Sequence, residues 1–130
     1  MNDKELLLKD LCSRLPCEVK CEYDGKMYDI LGYAHGRIVL CEPFMSKTEC
    51  PLFRESYSNI KPYLFPMSSM TDEQKNEYYF LCDECLSADT CEVEYFNSIK
   101  SIDWLNANHF DYRGLIEKGL ALNATGLNIY

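Results

Sequence analysis

From Cys17 to Tyr23 the apolar and polar side chains alternate, and that period, followed by a tight-turn signal, leaves few folds open to this part of the chain. Cys17, Val19, Cys21 and Tyr23 alternate with Glu18, Lys20 and Glu22, as in a strand with one face in a core and the other in water. Asp24-Gly25 follows at once. A two-residue type I′ turn needs positive φ at both central positions, which Asp tolerates and Gly adopts freely. The return strand is expected from Lys26 to Tyr33, a second turn at His35-Gly36, and a third strand from Arg37 to Cys41. Three consecutive strands joined this way form an antiparallel meander.

The helical segments carry their own start signals. Asn2-Asp3-Lys4-Glu5 has the form of a capping box, in which the Asn side chain and the Glu three residues later satisfy each other's backbone N–H groups. Leu7, Leu8, Leu11 and Leu15 recur at helical spacing, with Lys4, Lys9, Asp10 and Arg14 placed mostly on the rest of the wheel. Pro16 ends the run, because the residue before a proline avoids helical dihedrals. The helix is expected from about Asp3 to Arg14. Thr71 and Gln74 form a second capping box, opening a helix from Asp72 to about Leu86 that buries Tyr78, Leu81, Cys82 and Cys85.

Other stretches are punctuated or short. Pro43, Pro51, Pro62 and Pro66 break up the segment before Met70, where Leu52–Tyr57 or Ile60–Leu64 is expected to add an edge strand, since a missing N–H does no harm there. Past a loop at Ser87–Thr90, Cys91, Val93 and Tyr95 alternate and read as a strand. Ser101 is expected to cap a short helix through Ile102, Trp104 and Leu105. A further short helix should hold Leu115, Ile116 and Lys118 and end at Gly119. The apolar segment Leu120–Tyr130 should dock on the body. The expected architecture is one α+β domain over residues 1–130. Its small curved antiparallel sheet, SH3-like or a partial barrel, is covered by an N-terminal helix, a middle helix and short C-terminal helices.

Charge and cysteine content narrow the function. The 130 residues carry a net charge of −8 and no run of Lys or Arg, which disfavours direct binding to DNA or RNA, because phosphate neutralisation needs a basic face. The opening residues are acidic, and the longest apolar run near them is Leu6-Leu7-Leu8. Neither an export signal nor a membrane span is expected, and a cytosolic protein is. In that compartment most of the eight cysteines should be free thiols that pack as small hydrophobes.

Two clusters could carry chemistry. Cys82 and Cys85, with Cys91 six residues on, have the spacing of zinc ligands, and Cys50, Cys41 or His35 would have to complete the set. No second pair follows at zinc-ribbon distance, so core packing is the better reading. A redox Cys-x-x-Cys belongs at a helix N-terminus, where the dipole lowers a thiol pKa; this pair falls near a helix C-terminus. His109, Asp111 and Arg113 could bind a phosphate or carboxylate with Arg113 as the fork, or could be a buried turn network. Turn networking is the preferred reading. No nucleophile, phosphate-loop or metal-enzyme motif is present, so neither enzymatic activity nor a cofactor is expected.

Three stretches together resemble a known group. They are Glu5-Leu6-Leu7-Leu8-Lys9-Asp10-Leu11-Cys12 with Arg14-Leu15-Pro16, the run from Ser58 through Lys61-Pro62-Tyr63-Leu64-Phe65-Pro66-Met67-Ser68-Ser69-Met70-Thr71, and Trp104–Ala121 with the ending Ala124-Thr125-Gly126-Leu127-Asn128-Ile129-Tyr130. In these, roughly half the chain, the sequence resembles small uncharacterised proteins encoded by phages and prophages of gut Bacteroides and their relatives. The resemblance implies a setting, that of a phage accessory protein, and supplies no mechanism. The expectation that follows is a non-enzymatic binding protein acting on a host component, with counter-defence as its most concrete form. The partner would be a host bacterial protein, which the chain masks, or a small nucleotide signal, which it sequesters. Sequestration calls for aromatic stacking with Arg113 or Lys61 on phosphate; masking calls for an exposed apolar patch rimmed by acidic side chains. Candidate binding residues are Lys61, Tyr63, His109, Asp111, Tyr112 and Arg113. A virion structural or assembly component and a small zinc-binding protein are the alternatives.

Overall fold

The computed structural model describes residues 2–34, 37–42, 53–56, 60–86 and 91–130, with the side chains at 34, 53–56, 83–86 and 91–98 outside the description. The elements, in chain order, are α1 (Asp3–Arg14), a 3-10 turn (Leu15–Cys17), β1 (Lys20–Tyr23), β2 (Lys26–Ala34), β3 (Arg37–Cys41), β4 (Phe53–Ser56), β5 (Lys61–Pro66), a second 3-10 turn (Met67–Ser69), α2 (Asp72–Leu86), α3 (Cys91–Ala107), β6 (Phe110–Asp111) and β7 (Leu122–Asn123). The class is α+β, as the patterning implies, and the sheet is open rather than closed into a barrel.

The meander forms where the alternation places it. Asp24 and Gly25 both take positive φ, 51° and 77°, and β1 folds back on β2 with Tyr23 opposite Lys26 and Lys20 opposite Asp29. β3 pairs with β2 across a bulge between Ile30 and Gly32, and β4 lies beside β3. The turn expected at His35-Gly36 lies outside the described residues. Both capping boxes close: Asn2 and Glu5 exchange bonds at the start of α1, and Thr71 and Gln74 do so before α2.

The sheet is mixed, and this corrects the all-antiparallel expectation. β5 is antiparallel to β1 but parallel to both β6 and β7. It is therefore no edge strand, although Pro62 lies within it. Pairing with β7 begins only at Tyr63, so the N–H that Pro62 lacks falls before that ladder starts. Of the two proposed edge segments, the one at β4 does lie at the end of the strand order, beside β3 alone.

Four further expectations are corrected. Cys91, Val93 and Tyr95 belong to the 17-residue α3, not a strand. A short apolar alternation cannot tell helix from strand, and the buried Ser101, Leu105 and Asn106 carry the helical spacing onward. Ser101 consequently sits inside a helix instead of capping one. No helix forms around Leu115: Gly114 adopts φ +72° and Gly119 φ +74°, and the Asp111 carboxylate takes the N–H groups of Leu115 and Ile116 at 2.8 and 2.9 Å. Cys17 lies in the 3-10 turn, and Glu18 follows at φ +55°. Of Cys17 and Cys21, both expected on the buried face of the strand, only Cys21 is a core thiol, and burial pushes its pKa up to about 12.

Two apolar clusters fill the interior. One packs Leu7 and Leu11 of α1 on Val19, Cys21, Ile30, Ile38, Leu40, Leu64 and Leu115. The other gathers Met70, Leu105 and Phe110, with Phe65, Met67, Tyr78 and Trp104 against them. A polar clamp ties α1 to the second cluster. Asp10 and Arg14, placed on the polar side of the helical wheel by sequence, are in fact fully buried. Arg14 Nε donates to Asp10 Oδ2 at 2.7 Å, and its Nη2 donates to the Phe110 carbonyl at 2.6 Å. Arg113 Nε stands 3.2 Å from Asp10 Oδ1, a charge contact without hydrogen-bond alignment.

Free thiols stand at Cys12, Cys17, Cys21 and Cys82. Cys41, buried at the end of β3, is disulfide-bonded. A compartment argument sets redox poise and not proximity, so it could not foresee a cysteine that folding brings to a bonding partner. Among the described residues, no helix is long and apolar enough to cross a membrane.

A buried charge stripped of its partner is far more costly than an exposed one. Asp10→Ala should therefore lower unfolding stability in urea by about 3–5 kcal/mol. Lys118→Ala, which removes an exposed 4.0 Å pair with Asp3, should stay within about 0.5 kcal/mol.

Candidate functional site

α3 ends with Asn108 donating its N–H and its side-chain amide to the Trp104 carbonyl. His109 then turns the chain with φ +61°. This left-handed residue after a helix is usually Gly or Asn, whose backbones tolerate it. The turn sends Phe110 and Asp111 alongside Phe65 and Pro66 as β6, with Phe65 N–H bonded to the His109 carbonyl at 2.8 Å. His109 is thereby fixed at a junction of α3, β5 and β6.

Its imidazole stacks on Tyr130, ring centroids 3.7 Å apart and planes 15° from parallel. Tyr130 is anchored in turn through its hydroxyl. Continuing the β1–β5 register by one step brings Lys20 opposite Tyr63. There the Tyr130 hydroxyl lies between the strands, accepting the Lys20 N–H at 2.9 Å and donating to the Tyr63 carbonyl at 2.7 Å. It occupies the place of a ladder hydrogen bond, and the expected docking of the Leu120–Tyr130 segment takes this form. Burial pushes the Tyr130 hydroxyl well above the ordinary tyrosine range.

Around this pair lies a pocket of about 430 Å³, lined by Phe65, His109, Phe110 and Tyr130 together with Ser69, Gln74, Asn108, Thr125 and Gly126. Phe65 tilts 56° to Phe110 and 60° to Tyr130, so the rings lining the space are set at differing angles. Burial holds His109 well down, to about 4, and the positive charges of Arg14 and Lys20 add to the effect. At neutral pH the imidazole is uncharged, and every side chain of the pocket named here is neutral.

The residues singled out by sequence do not converge. His109 lines this pocket, whereas Asp111 and Tyr112 line a second hollow of about 430 Å³ with Pro66, Met67 and Glu117. The Asp111 carboxylate is committed to two backbone N–H groups. Arg113 is turned to Asp10, and the Tyr112 ring has the guanidinium carbons of Arg14 and Arg113 at 4.9 and 5.1 Å from its centre. Lys61 is exposed at the start of β5, and Tyr63 contributes its carbonyl. Asp111 and Arg113 thus make polar contacts with the turn after β6 and with α1, without His109 and without the two short C-terminal helices they were expected to tie together. Cys82 is half-buried on α2, while the side chains of Cys85 and Cys91 lie outside the described residues. Sequence reasoning passed over Phe65 and Tyr130 as pocket walls. An aromatic residue ending an otherwise apolar segment was the available signal.

A different surface feature stands on α2 and α3. Tyr78 faces inward, stacked on Trp104, and Leu81 and Cys82 are half-buried, so the apolar face expected of α2 is only partly covered. Its neighbours Tyr79 and Phe80 are 56% and 65% exposed, and Ile99 and Ile102 of α3 are 39% and 40% exposed. Exposed Asp72, Glu73, Glu77 and Asp103 share these helices with Lys75 and Lys100.

Compared with known proteins, the chain matches no family model, no curated protein and no solved structure.

Folding keeps His109 neutral, so between about pH 6.5 and 4 the unfolded chain binds a proton that the folded chain does not. Stability should fall as pH drops through that window. His109→Asn, which suits the left-handed backbone, should flatten this part of the acid limb by about 2 kcal/mol, allowing for partial exposure. In an NMR titration the His109 imidazole should have its midpoint near 4. An imidazole titrating at the ordinary value would contradict the packing described.

Proposed function

We propose that this chain is a phage-encoded, non-enzymatic accessory protein that binds and masks a protein of its bacterial host, as a counter-defence factor. The observation that carries this reading is the apolar surface of α2 and α3, where Tyr79, Phe80, Ile99 and Ile102 stand exposed among Asp72, Glu73, Glu77 and Asp103. A large aromatic side chain left in water forgoes on the order of 2 kcal/mol of burial, which a partner can recover. Interfaces draw disproportionately on Tyr and Phe in their centres and on charge at their rims. The excess of acids over bases on these helices, four exposed acids beside Lys75 and Lys100, and the net charge of −8 fit a partner whose own apolar groove is edged by Lys and Arg, and such complementarity speeds encounter.

Masking is favoured over capture of a phosphorylated signal by where the cations lie. Arg14 and Arg113 are engaged by Asp10, Lys20 is paired with Asp29 at 2.7 Å, and Lys61 stands outside the pocket lining. A phosphate in the aromatic pocket would lack the fork of donors that charged oxygens favour.

Affinity capture from host lysate, with the parent chain beside Phe80→Glu and Tyr79→Ser, tests the reading. A stoichiometric host protein should be retained by the parent and weakened at least tenfold by Phe80→Glu. Its binding should decline with added salt and protect α2 and the 99–103 segment from hydrogen exchange. Capture indifferent to both substitutions would contradict masking through this face. A fixed copy number in purified virions would favour the assembly role instead.

A further inference from the structure

The aromatic pocket at His109 serves no part of the masking reading, and its chemistry is specific. At about 430 Å³ it falls within the range of small-molecule sites, which are mostly apolar with a few placed polar groups. Its aromatic walls are Phe65, Phe110 and the stacked His109–Tyr130 pair, set at differing tilts. Asn108, Gln74 and Thr125, whose side chains carry amide and hydroxyl groups, line the same pocket. Asn108 spends one amide hydrogen on Trp104 and keeps its oxygen clear of that bond. Gln74 spends its oxygen on the Thr71 N–H and keeps its amide hydrogens clear of that bond. An acceptor and a donor of the amide type thus stand beside aromatic faces.

That combination recognises a flat ring bearing both donors and acceptors on its edge. Unstacked nucleobases are bound in this manner, with the face on an aromatic side chain and the edge on amides and hydroxyls. Charge distinguishes this ligand from a nucleotide. The pocket's side chains are neutral, and Arg14 and Lys20, the cations whose charge reaches His109, are already paired with Asp10 and Asp29. We propose that the His109–Tyr130 pocket binds an uncharged nucleobase or nucleoside and discriminates against its phosphorylated forms.

The left-handed backbone at His109 fits this role. A non-glycine residue held in that region stores strain, which neighbouring structure must maintain, and such residues gather at ligand clamps. Here the imidazole lies flat on Tyr130, and both rings line the pocket.

The test is an NMR titration of the full chain with adenosine, guanosine, cytidine and uridine, each beside its 5′-monophosphate. At least one nucleoside should shift the resonances of Phe65, His109, Thr125 and Gly126 saturably, and its monophosphate should bind at least tenfold more weakly. Thr125→Trp, placed at an exposed lining position, should fill the pocket and weaken that nucleoside at least tenfold while leaving the amide spectrum folded. Should that substitution disturb the fold, Asn108→Ala serves as the second variant, with the same loss expected. No saturable shift with any nucleoside would overturn the proposal. Equal affinity for the monophosphate, or shifts centred away from the pocket, would overturn it as well. Because the readout uses no host protein, its failure leaves the masking face untouched.

Discussion

A carboxylate taken out of water must be met by positive charge, and Asp10 is met from two directions. Arg14 comes from its own helix one turn on, and Arg113 from far along the chain. Arg14 then carries the tie further by donating to the Phe110 carbonyl, 96 residues away in sequence. Removing ions from water costs several kcal/mol each, and a buried pair that loses one member is strongly unfavourable. The clamp therefore sets where α1 lies relative to β6 and the turns that follow. Those turns hold Leu115 in the first apolar cluster and Phe110 in the second. The pocket wall at His109 lies next to Phe110 and inherits the same constraint.

What could be read from sequence was whatever depends on neighbours in the chain. The capping boxes at Asn2 and Thr71 and the Asp24-Gly25 turn need only residues two or three apart, and each forms as written. Asp10 and Arg14 misled for the same reason. An acid–base pair four apart on a helix is the usual mark of a solvated face, and only the distant Phe110 carbonyl and Arg113 make it a buried one. α3 was missed because Cys91, Val93 and Tyr95 satisfy a strand period over too few residues, while the helix is settled further on at Ser101 and Leu105. The site was the least legible part. His109 was marked for its chemistry, but its partner Tyr130 is fixed by a hydroxyl lodged between Lys20 and Tyr63, a relation no local pattern encodes.

The segments 5–16, 61–71 and 104–130 come together in space through these contacts. α1 reaches β6 by Arg14, β5 reaches the α3 terminus by Phe65 and His109, and the last segment returns to β5 by Ala124 and Tyr130. The exposed faces of α2 and α3 project from this frame, with Tyr78 and Trp104 fastening one to the other. A frame cross-tied in this way suits the binding role proposed above, since surfaces held in place before encounter lose less entropy on association.

Hydrogen exchange on Arg14→Met, compared residue by residue with the parent chain, is the most direct test of the clamp as the organising interaction. Protection should fall together in α1 and at the amides of Phe65, Leu115, Ile116, Leu120 and Ala124, whose hydrogen bonds lie on the far side of the Phe110 link. Loss confined to α1, with those amides as slow as in the parent chain, would show that the C-terminal segment holds its place without Arg14 and would contradict the account.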